Sequence, residues 1–159
     1  MKTAIVFSTK HGTTQKVATM IRDLAPADTE LFNLNEVKDV DLAEFDCIIL
    51  GGSIHAGTIQ KSINKFCAKH MQELTTKPLG LFLSCLDEEK AAAQFNTAYP
   101  EVLRQHARSS KLTGGEALYE RMNFIERLLM KKISGKKESF SRIDRSKVEE
   151  LASEMFAEV

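Results

Sequence analysis

The sequence has 159 residues, and its 22 lysines and arginines balance its 22 aspartates and glutamates, so the formal net charge is zero. Hydrophobic residues make up 43% and charged residues 28%, which supplies enough apolar material for a core and excludes a disordered chain. Neutrality also excludes bulk attraction to nucleic acid, which favours a basic excess. We predict a single domain over residues 1–159.

The three cysteines are widely spaced, and no Cys-x-x-Cys pair or Cys/His cluster indicates a metal site. A reduced, intracellular protein is the simplest interpretation. The apolar run at residues 4–7 is too short for a signal-peptide core, and no run approaches the length of a membrane span. These features predict a cytoplasmic protein, with a peripheral contact to the inner face of the membrane left open.

Short apolar runs alternate with amphipathic stretches through the first half of the chain. Continuous apolar runs are typical of strands that are buried on both faces of a parallel sheet. The strands predicted in this way, with one weaker alternating strand at residues 30–34, are residues 4–7, 30–34, 47–50 and 79–83. Helices are predicted over residues 13–24 and 60–71, where apolar residues recur at helical spacing. The strand at 47–50 is expected to stop at Gly51-Gly52.

The second half continues the alternation. A helical region over 88–106 is expected to break near Tyr99-Pro100, because proline lacks a backbone donor. A last strand is predicted at 111–118, a helix at 119–133 and a terminal helix at 146–156 that begins with a capping-box spacing. Alternating strands and helices predict an α/β fold, in which ligands bind beyond the carboxyl ends of the parallel strands.

The loop after the first strand is dense in hydroxyls and leads directly into a helix. Helix N-termini expose unpaired N–H groups with partial positive charge, and they can therefore bind phosphate. Other phosphate motifs fail: no GxGxxG follows the first strand, and the P-loop spacing from Gly52 to Gly57 has Thr58 in place of the required lysine. The predicted phosphate-binding residues are Ser8, Thr9, Lys10, His11, Gly12, Thr13 and Thr14.

Together with Ala18 and Ile21, the run from Ile5 to Thr14 resembles the FMN-phosphate signature of the flavodoxin family. The resemblance implies a flavodoxin-like three-layer sandwich, with a five-stranded parallel sheet in the order 2-1-3-4-5 and helices on both faces. It also implies FMN as the cofactor, with its phosphate held by residues 8–14.

Two further loops correspond to those that enclose the flavin ring in flavodoxins. In the second loop an aromatic residue usually covers the ring; here Ile54 or His55 takes that place, or His55 is a plain exposed loop residue. In the third loop Cys85 is more simply an apolar filler than a reactive thiol, and Asp87 is the N-cap of the next helix. The residues implied in these loops are Ser53, Ile54, His55, Ala56, Gly57, Ser84, Cys85, Leu86 and Asp87.

Several segments resemble the menaquinone-dependent protoporphyrinogen dehydrogenase group of flavodoxin-like proteins. They are Met1-Lys2-Thr3, Phe7-Ser8-Thr9, Gly52 to Gly57 and Glu126 to Gly135. That group carries a long basic and aromatic insertion in its second half, and the region 86–110 of this chain is shorter than such an insertion.

Two functions follow from this resemblance, beside a flavin-free interaction module. The first is an FMN-binding redox protein that exchanges electrons with a partner protein, a reductase or acceptor enzyme, and needs no catalytic side chain. The second is a quinone-dependent protoporphyrinogen IX dehydrogenase of haem biosynthesis, which needs an apolar cleft and cations for the propionates. Candidate residues for the cleft are Tyr99, Tyr119, Met122, Phe124, Arg104, Arg108, Arg121 and Arg127.

The zero net charge is an average of two unlike parts. Residues 120–147 contain nine basic and four acidic residues, a net charge of +5, so the rest of the chain carries −5. The segment 119–137 could therefore face an anionic membrane surface or an acidic partner, or simply be a solvated helix face.

Overall fold

The computed structural model describes residues 1–157, in which strands and helices alternate as the hydrophobic pattern predicts. The first half consists of β1 (Thr3–Phe7), α1 (Thr13–Leu24), β2 (Thr29–Asn33), β3 (Cys47–His55), β4 (Thr58–Ile59), α2 (Lys61–Lys69), α3 (Met71–Thr76) and β5 (Leu79–Ser84). The second half consists of α4 (Ala91–Ala98), α5 (Glu101–His106), β6 (Ser109–Leu112), β7 (Glu116–Ala117), α6 (Phe124–Ser134), β8 (Phe140–Ser141) and α7 (Arg145–Phe156).

Five parallel strands form the central sheet in the order β2-β1-β3-β5-β6. In this register Ile5 lies opposite Leu31 on one side and Ile49 on the other. Counted without the short strand β4, this order is 2-1-3-4-5, so the predicted α/β class and strand order are confirmed.

The core consists of two apolar layers, one on each face of the sheet. Helices α1 and α7 bury Val17, Ile21 and Leu151 against one face, and helices α2 to α5 cover the other. Because β1, β3 and β5 are covered on both faces, every residue of β1 and β5 is buried, and so is β3 as far as Ser53. This explains the continuous apolar runs in the sequence.

Strand β3 extends to His55, and the predicted stop at Gly51-Gly52 is wrong. A Cβ at Gly51 would lie 1.9 Å from Cζ of Phe82, and one at Gly52 would lie 2.5 Å from Cδ1 of Ile59. The glycines therefore mark close packing within the strand and not a turn. Beyond them the chain reverses in a hairpin and returns as β4, which is antiparallel to β3.

The predicted last strand at 111–118 is present as β6, but its bounds are wrong, because β6 runs from Ser109 to Leu112 and Gly114 turns the chain with a φ of 68°. Strand β7 pairs instead with β8, in a separate antiparallel ribbon. The backbone N–H of Arg142 donates to the carbonyl of Gly115 at 2.7 Å, which closes the base of this ribbon. Residues 116–141, called the insertion below, thus leave and re-enter the fold at neighbouring points.

Helix α6 lies within the insertion and begins at Phe124, five residues later than predicted. The side chain of Asn123 accepts from the N–H of Glu126, and the Glu126 carboxylate accepts from the N–H of Asn123, so the two residues form a capping box. Helix α7 likewise begins at Arg145, because Asp144 and not Ser146 caps it. Among residues 1–157, no helix combines the length and the apolarity that a bilayer span requires.

Candidate functional site

The three predicted loops meet at the carboxyl ends of β1, β3 and β5, where they line one cavity. Most of the predicted site residues lie on its wall: Thr9, Lys10, His11, Thr13, Ser53, Ile54, His55, Ala56, Gly57, Ser84, Cys85, Leu86 and Asp87. Ser8 and Gly12 lie in the first loop and Thr14 lies in the first turn of α1, but these three residues are not on that wall. The insertion supplies a further wall: Glu116, Met122, Ile125, Glu126, Leu129, Met130 and Ile133.

The first loop has the geometry of an anion site. Gly12 caps α1 with a left-handed φ of 97°, and its N–H donates to Oγ1 of Thr9 at 2.9 Å. No acidic residue occupies the first turn of α1 to oppose an anion. Oγ of Ser8 donates to the Asn35 side chain, whereas the fully buried Oγ1 of Thr14 has no hydrogen-bond partner among the described residues. A buried orphan hydroxyl here is a donor without an acceptor.

The second loop is the turn of the β3–β4 hairpin, held by a side chain that the sequence did not single out. Ala56 and Gly57 turn the chain with positive φ values of 51° and 82°. Gln60 accepts from the N–H of Ser53 at 3.0 Å and donates to its hydroxyl at 2.6 Å. That hydroxyl also lies 3.0 Å from Nε2 of His55, so the ring is held in place.

His55 is half-buried, and the exposed-loop interpretation does not describe it. Burial, together with the nearby charges of His11 and Lys10 and against the opposing effect of Glu126, lowers the pKa of His55 from 6.5 to about 4. The ring is therefore neutral at pH 7. It meets the His11 ring edge to face, with the centroids 5.6 Å apart.

In the third loop, Cys85 is buried, its thiol is directed at Oε1 of Gln94 at 2.7 Å, and burial raises its pKa. A buried thiol with a raised pKa is inert, which agrees with the apolar-filler interpretation. Ser84 carries a second buried hydroxyl without a partner among the described residues. Asp87 is not the predicted N-cap: a turn separates it from α4, which begins at Ala91 with Lys90 at the cap.

The apolar wall from α6 was not predicted as part of the site. Its residues recur every three or four positions, a spacing that equally describes a helix packed on a core. None of the α6 residues is buried, however, and Ile125 is 75% exposed. One edge of the helix faces the cavity through Ile125 and Leu129, while the neighbouring Phe124 and Leu128 face outward.

Polar contacts tie the insertion to the first loop. Oε2 of Glu126 lies 2.7 Å from Nε2 of His11, and Oε1 lies 3.3 Å from Nζ of Lys10. These contacts keep the Glu126 pKa below its usual value against the opposing effect of its partial burial. At the base of the insertion, Glu116 accepts from Thr13 Oγ1 at 3.3 Å and from Lys16 Nζ at 2.9 Å.

Three of these residues could in principle hold a metal ion, since His11, His55 and Glu126 place ligand atoms within 4.8 Å of one another. The Lys10 ammonium, however, already lies 3.3 Å from the same carboxylate. A dication would be repelled by this ammonium and would have to replace the bond between His11 and Glu126. The contacts already present therefore oppose a metal ion at this point.

Several residues predicted for a porphyrin cleft lie elsewhere. Tyr99 is 1% exposed, and its hydroxyl donates to the Phe82 carbonyl inside the core. Arg104 donates to the carbonyl of Tyr99 and to the side chain of Asn96, and it does not line the cavity. The Tyr119 hydroxyl donates within the insertion, to the carbonyl of Lys136. Of the four apolar candidates, Met122 alone lies on the cavity wall.

The comparisons with known proteins agree with this geometry. A family profile described as flavodoxin domain matches residues 4–144. Protoporphyrinogen IX dehydrogenase (quinone) of Leishmania major is 28% identical, over 98% of this chain and 75% of that protein. Its namesake from Escherichia coli K12 is 24% identical, over 84% of this chain and 78% of that protein.

Solved structures of flavodoxins share the fold. A Streptococcus pneumoniae flavodoxin superposes with a TM-score of 0.63 over 98% of this chain and 97% of that one, at 16% identity. Flavodoxin 2 of Bacillus cereus gives a TM-score of 0.58 over 72% of this chain and 85% of that one, at 18% identity. At these identities the likeness concerns the fold alone.

Proposed function

The chain belongs to the flavodoxin domain family, as its first loop predicts, and from this premise we propose that it is an FMN-dependent oxidoreductase acting on an apolar organic substrate. FMN would supply two-electron and one-electron redox chemistry. The observation that carries the proposal is the apolar wall of the insertion, which turns the predicted flavin-binding edge of the sheet into a lined cavity.

The residues present fit FMN. The helix terminus at Gly12 would hold the phosphate together with the buried hydroxyl of Thr14, whose donor is unused. The hydroxyls of Ser8 and Thr13 donate to Asn35 and Glu116 and would have to exchange these partners to take part. The second and third loops would enclose the ring, with Ser84 as a second unused donor. The missing aromatic residue leaves Ile54 and His55 to cover one face of the ring.

The chain's own contribution to the reaction is binding, orientation and exclusion of water. Ile125, Leu129 and Met130 would present an apolar surface to the substrate beside the flavin loops. Removing water from such a site strengthens the electrostatic interactions inside it. His55 is neutral at pH 7, so it would add no charge next to the ring.

The specific reaction that we propose is the one named for the relatives, oxidation of protoporphyrinogen IX with a quinone as acceptor. A tetrapyrrole and a quinone are both large and apolar, and they match the apolar wall. Residues 116–141 contain more basic than acidic residues, and we propose that they, and not the region 86–110, correspond to the basic insertion of the protoporphyrinogen dehydrogenase group.

The test is an anoxic assay in which FMN-loaded protein is mixed with protoporphyrinogen IX and a menaquinone analogue. We expect porphyrin fluorescence to appear well above the autoxidation background. Leu129→Glu, on the cavity wall, should abolish this activity while FMN stays bound, whereas the matched control Leu128→Glu, on the outer side of the same helix, should retain it. Oxidation at the background rate by wild-type protein that binds FMN would refute the substrate assignment.

A second candidate is the predicted electron carrier that docks on a partner protein, and the outward-facing Phe124 and Leu128 favour it because they are 75% and 54% exposed. For an electron carrier, the expected effects of the two α6 variants are exchanged. Leu128→Glu should slow electron transfer from the reduced protein to a protein acceptor such as cytochrome c, and Leu129→Glu should not.

The same outer face, beside Lys131 and Lys132, supports the proposed peripheral contact of residues 119–137 with an anionic membrane.

A further inference from the structure

The insertion places an arginine directly on the predicted phosphate loop. Nη1 of Arg121 donates to the carbonyl of His11 at 2.6 Å. A Cβ at Gly12 would lie only 2.9 Å from the same Nη1 atom. The positive φ of Gly12 favours glycine here, and the absence of a Cβ lets this guanidinium lie directly against the backbone of the loop.

Arg121 differs from the other cations around the loop in having no carboxylate partner. Lys10 and His11 both contact Glu126, whose charge offsets theirs. Lys16 contacts Glu116 in the same way. Among residues 1–157, no carboxylate oxygen lies within 4.0 Å of the Arg121 guanidinium. The neighbouring exposed Glu120, whose pKa is lowered mainly by a hydrogen bond from Ser139 and also by the Arg121 charge, forms no ion pair with it.

The contact also acts on the loop backbone. The carbonyl of His11 and the N–H of Gly12 belong to one peptide group, at the N-cap of α1. A cation that binds the carbonyl fixes the orientation of this peptide and polarises its N–H, which donates to Oγ1 of Thr9 at 2.9 Å. The Thr9 hydroxyl hydrogen thereby becomes a stronger donor, and an anion held by the loop would gain from this donor and from the nearby positive charge.

We propose that Arg121 is a positioning residue for the FMN phosphate, so that the phosphate and the insertion stabilise each other across the His11–Gly12 peptide. The inference rests on the proposed FMN site and deepens it. It assigns to the insertion a role in selecting a phosphorylated flavin, in addition to its apolar wall.

Riboflavin, which lacks the phosphate, provides the decisive comparison. The variants are Arg121→Met, Arg121→Lys and the matched control Arg127→Met, since Arg127 donates only to the Tyr119 carbonyl within the insertion. Kd values for FMN and riboflavin are measured by fluorescence quenching. Arg121→Met should weaken FMN about tenfold, in the range of a lost charge-assisted hydrogen bond, and leave riboflavin unchanged. Arg121→Lys should recover part of the loss, and Arg127→Met should change neither Kd.

The salt dependence gives a second readout, because a purely structural residue would not alter it. FMN affinity of the wild type should fall with added KCl more steeply than that of Arg121→Met. Equal FMN affinity in wild type and Arg121→Met would overturn the inference, and so would an equal loss of FMN and riboflavin. If the wild type bound neither flavin, the proposed function itself would fail.

The coupling must also work in the opposite direction, because linkage between two binding events is reciprocal. Saturating FMN should slow tryptic cleavage of wild-type protein after Lys131 and Lys132, and saturating riboflavin should have a weaker effect. In Arg121→Met the two flavins should protect equally. Equal protection of the wild type by FMN and riboflavin would contradict the proposed coupling.

Discussion

The central sheet and the insertion are held to the protein by different forces. The side chains of Ile5, Ile49 and Leu81 are completely buried between two layers of helices. In α6 no residue is buried, and Phe124 and Ile125 are each 75% exposed. The insertion is attached by a narrow ribbon and by hydrogen bonds and ion pairs to the first loop.

This difference separates stability from function. Burial of apolar area gives most of the free energy of folding, so the sheet determines whether the chain folds. The ion pairs between the insertion and the first loop join partly buried carboxylates to more exposed cations. Such pairs contribute less to stability than the apolar core, but they are directional and respond to charge. The insertion should therefore respond to an anion in the loop without affecting the stability of the sheet.

The largest expected effect is a loss of stability in the central sheet. Leu81→Ala removes a completely buried side chain from the centre of the sheet and should cost about 3 kcal/mol in the free energy of unfolding. Leu128→Ala in α6 should cost less than about 0.5 kcal/mol. Urea denaturation measures both values. Similar losses for the two variants would show that α6 belongs to the cooperative core.

The next effect concerns the base of the insertion. In Gly114→Ala the new Cβ would lie 1.9 Å from the Arg142 carbonyl oxygen, at a φ of 68°, so the backbone must move. Gly135→Ala has a similar φ of 71° but nothing within 4 Å, and it measures the conformational cost alone, about 1 kcal/mol.

We expect Gly114→Ala to cost about 1 kcal/mol more than Gly135→Ala. Hydrogen exchange should accelerate in residues 116–141 of this variant while β1 and β5 keep their protection. Loss of protection throughout the sheet would show that the two regions are not separable.

A smaller effect depends on pH, at the boundary between the two regions. The folded-state pKa of His55 is about 4, below the unfolded value of 6.5, so the unfolded chain binds the proton more readily as the pH falls. The contribution of His55 to stability is thus complete above pH 6.5, decreases between pH 6.5 and 4, and falls by about 1 kcal/mol at pH 5.5. His55→Asn should lack this component, which urea titrations at pH 7.5 and 5.5 would measure.

The smallest expected change in the free energy of unfolding is that of a double variant which should alter binding to membranes. Phe124→Ser with Leu128→Ser should alter the free energy of unfolding by no more than about 0.5 kcal/mol per site. If the outer face of α6 contacts membranes, the double variant should lose salt-sensitive binding to anionic liposomes. Wild-type protein that fails to co-sediment with such liposomes would remove the membrane proposal.

The sheet could be predicted from the sequence because burial on both faces leaves a continuous apolar run, a strong local signal. The first loop could also be located from the sequence, because its residues are contiguous and follow the first apolar run directly. Gly51 and Gly52 misled the prediction of β3, because a glycine that admits a neighbouring ring resembles a glycine that turns the chain. That difference depends on Phe82, which is distant in sequence.

The wall of the cavity was not predictable in the same way. Ile125, Leu129 and Ile133 recur as core residues do, and periodicity alone does not reveal what a helix faces. The start of α6 was misplaced because the helical spacing already includes Met122, whereas Tyr119–Arg121 form a separate 3-10 turn and the capping box of Asn123 and Glu126 sets the start. Attention to capping pairs would have corrected the boundary, and only the ribbon of β7 and β8 reveals the insertion.

The closed base of that ribbon has an evolutionary consequence. The insertion departs after Gly115 and returns at Arg142, whose backbone atoms are joined by a hydrogen bond. For an excursion with adjacent ends, the entropy of closing the loop depends only weakly on its length. A lineage could thus lengthen, shorten or replace these residues without refolding the sheet, and so change the substrate while keeping the cofactor.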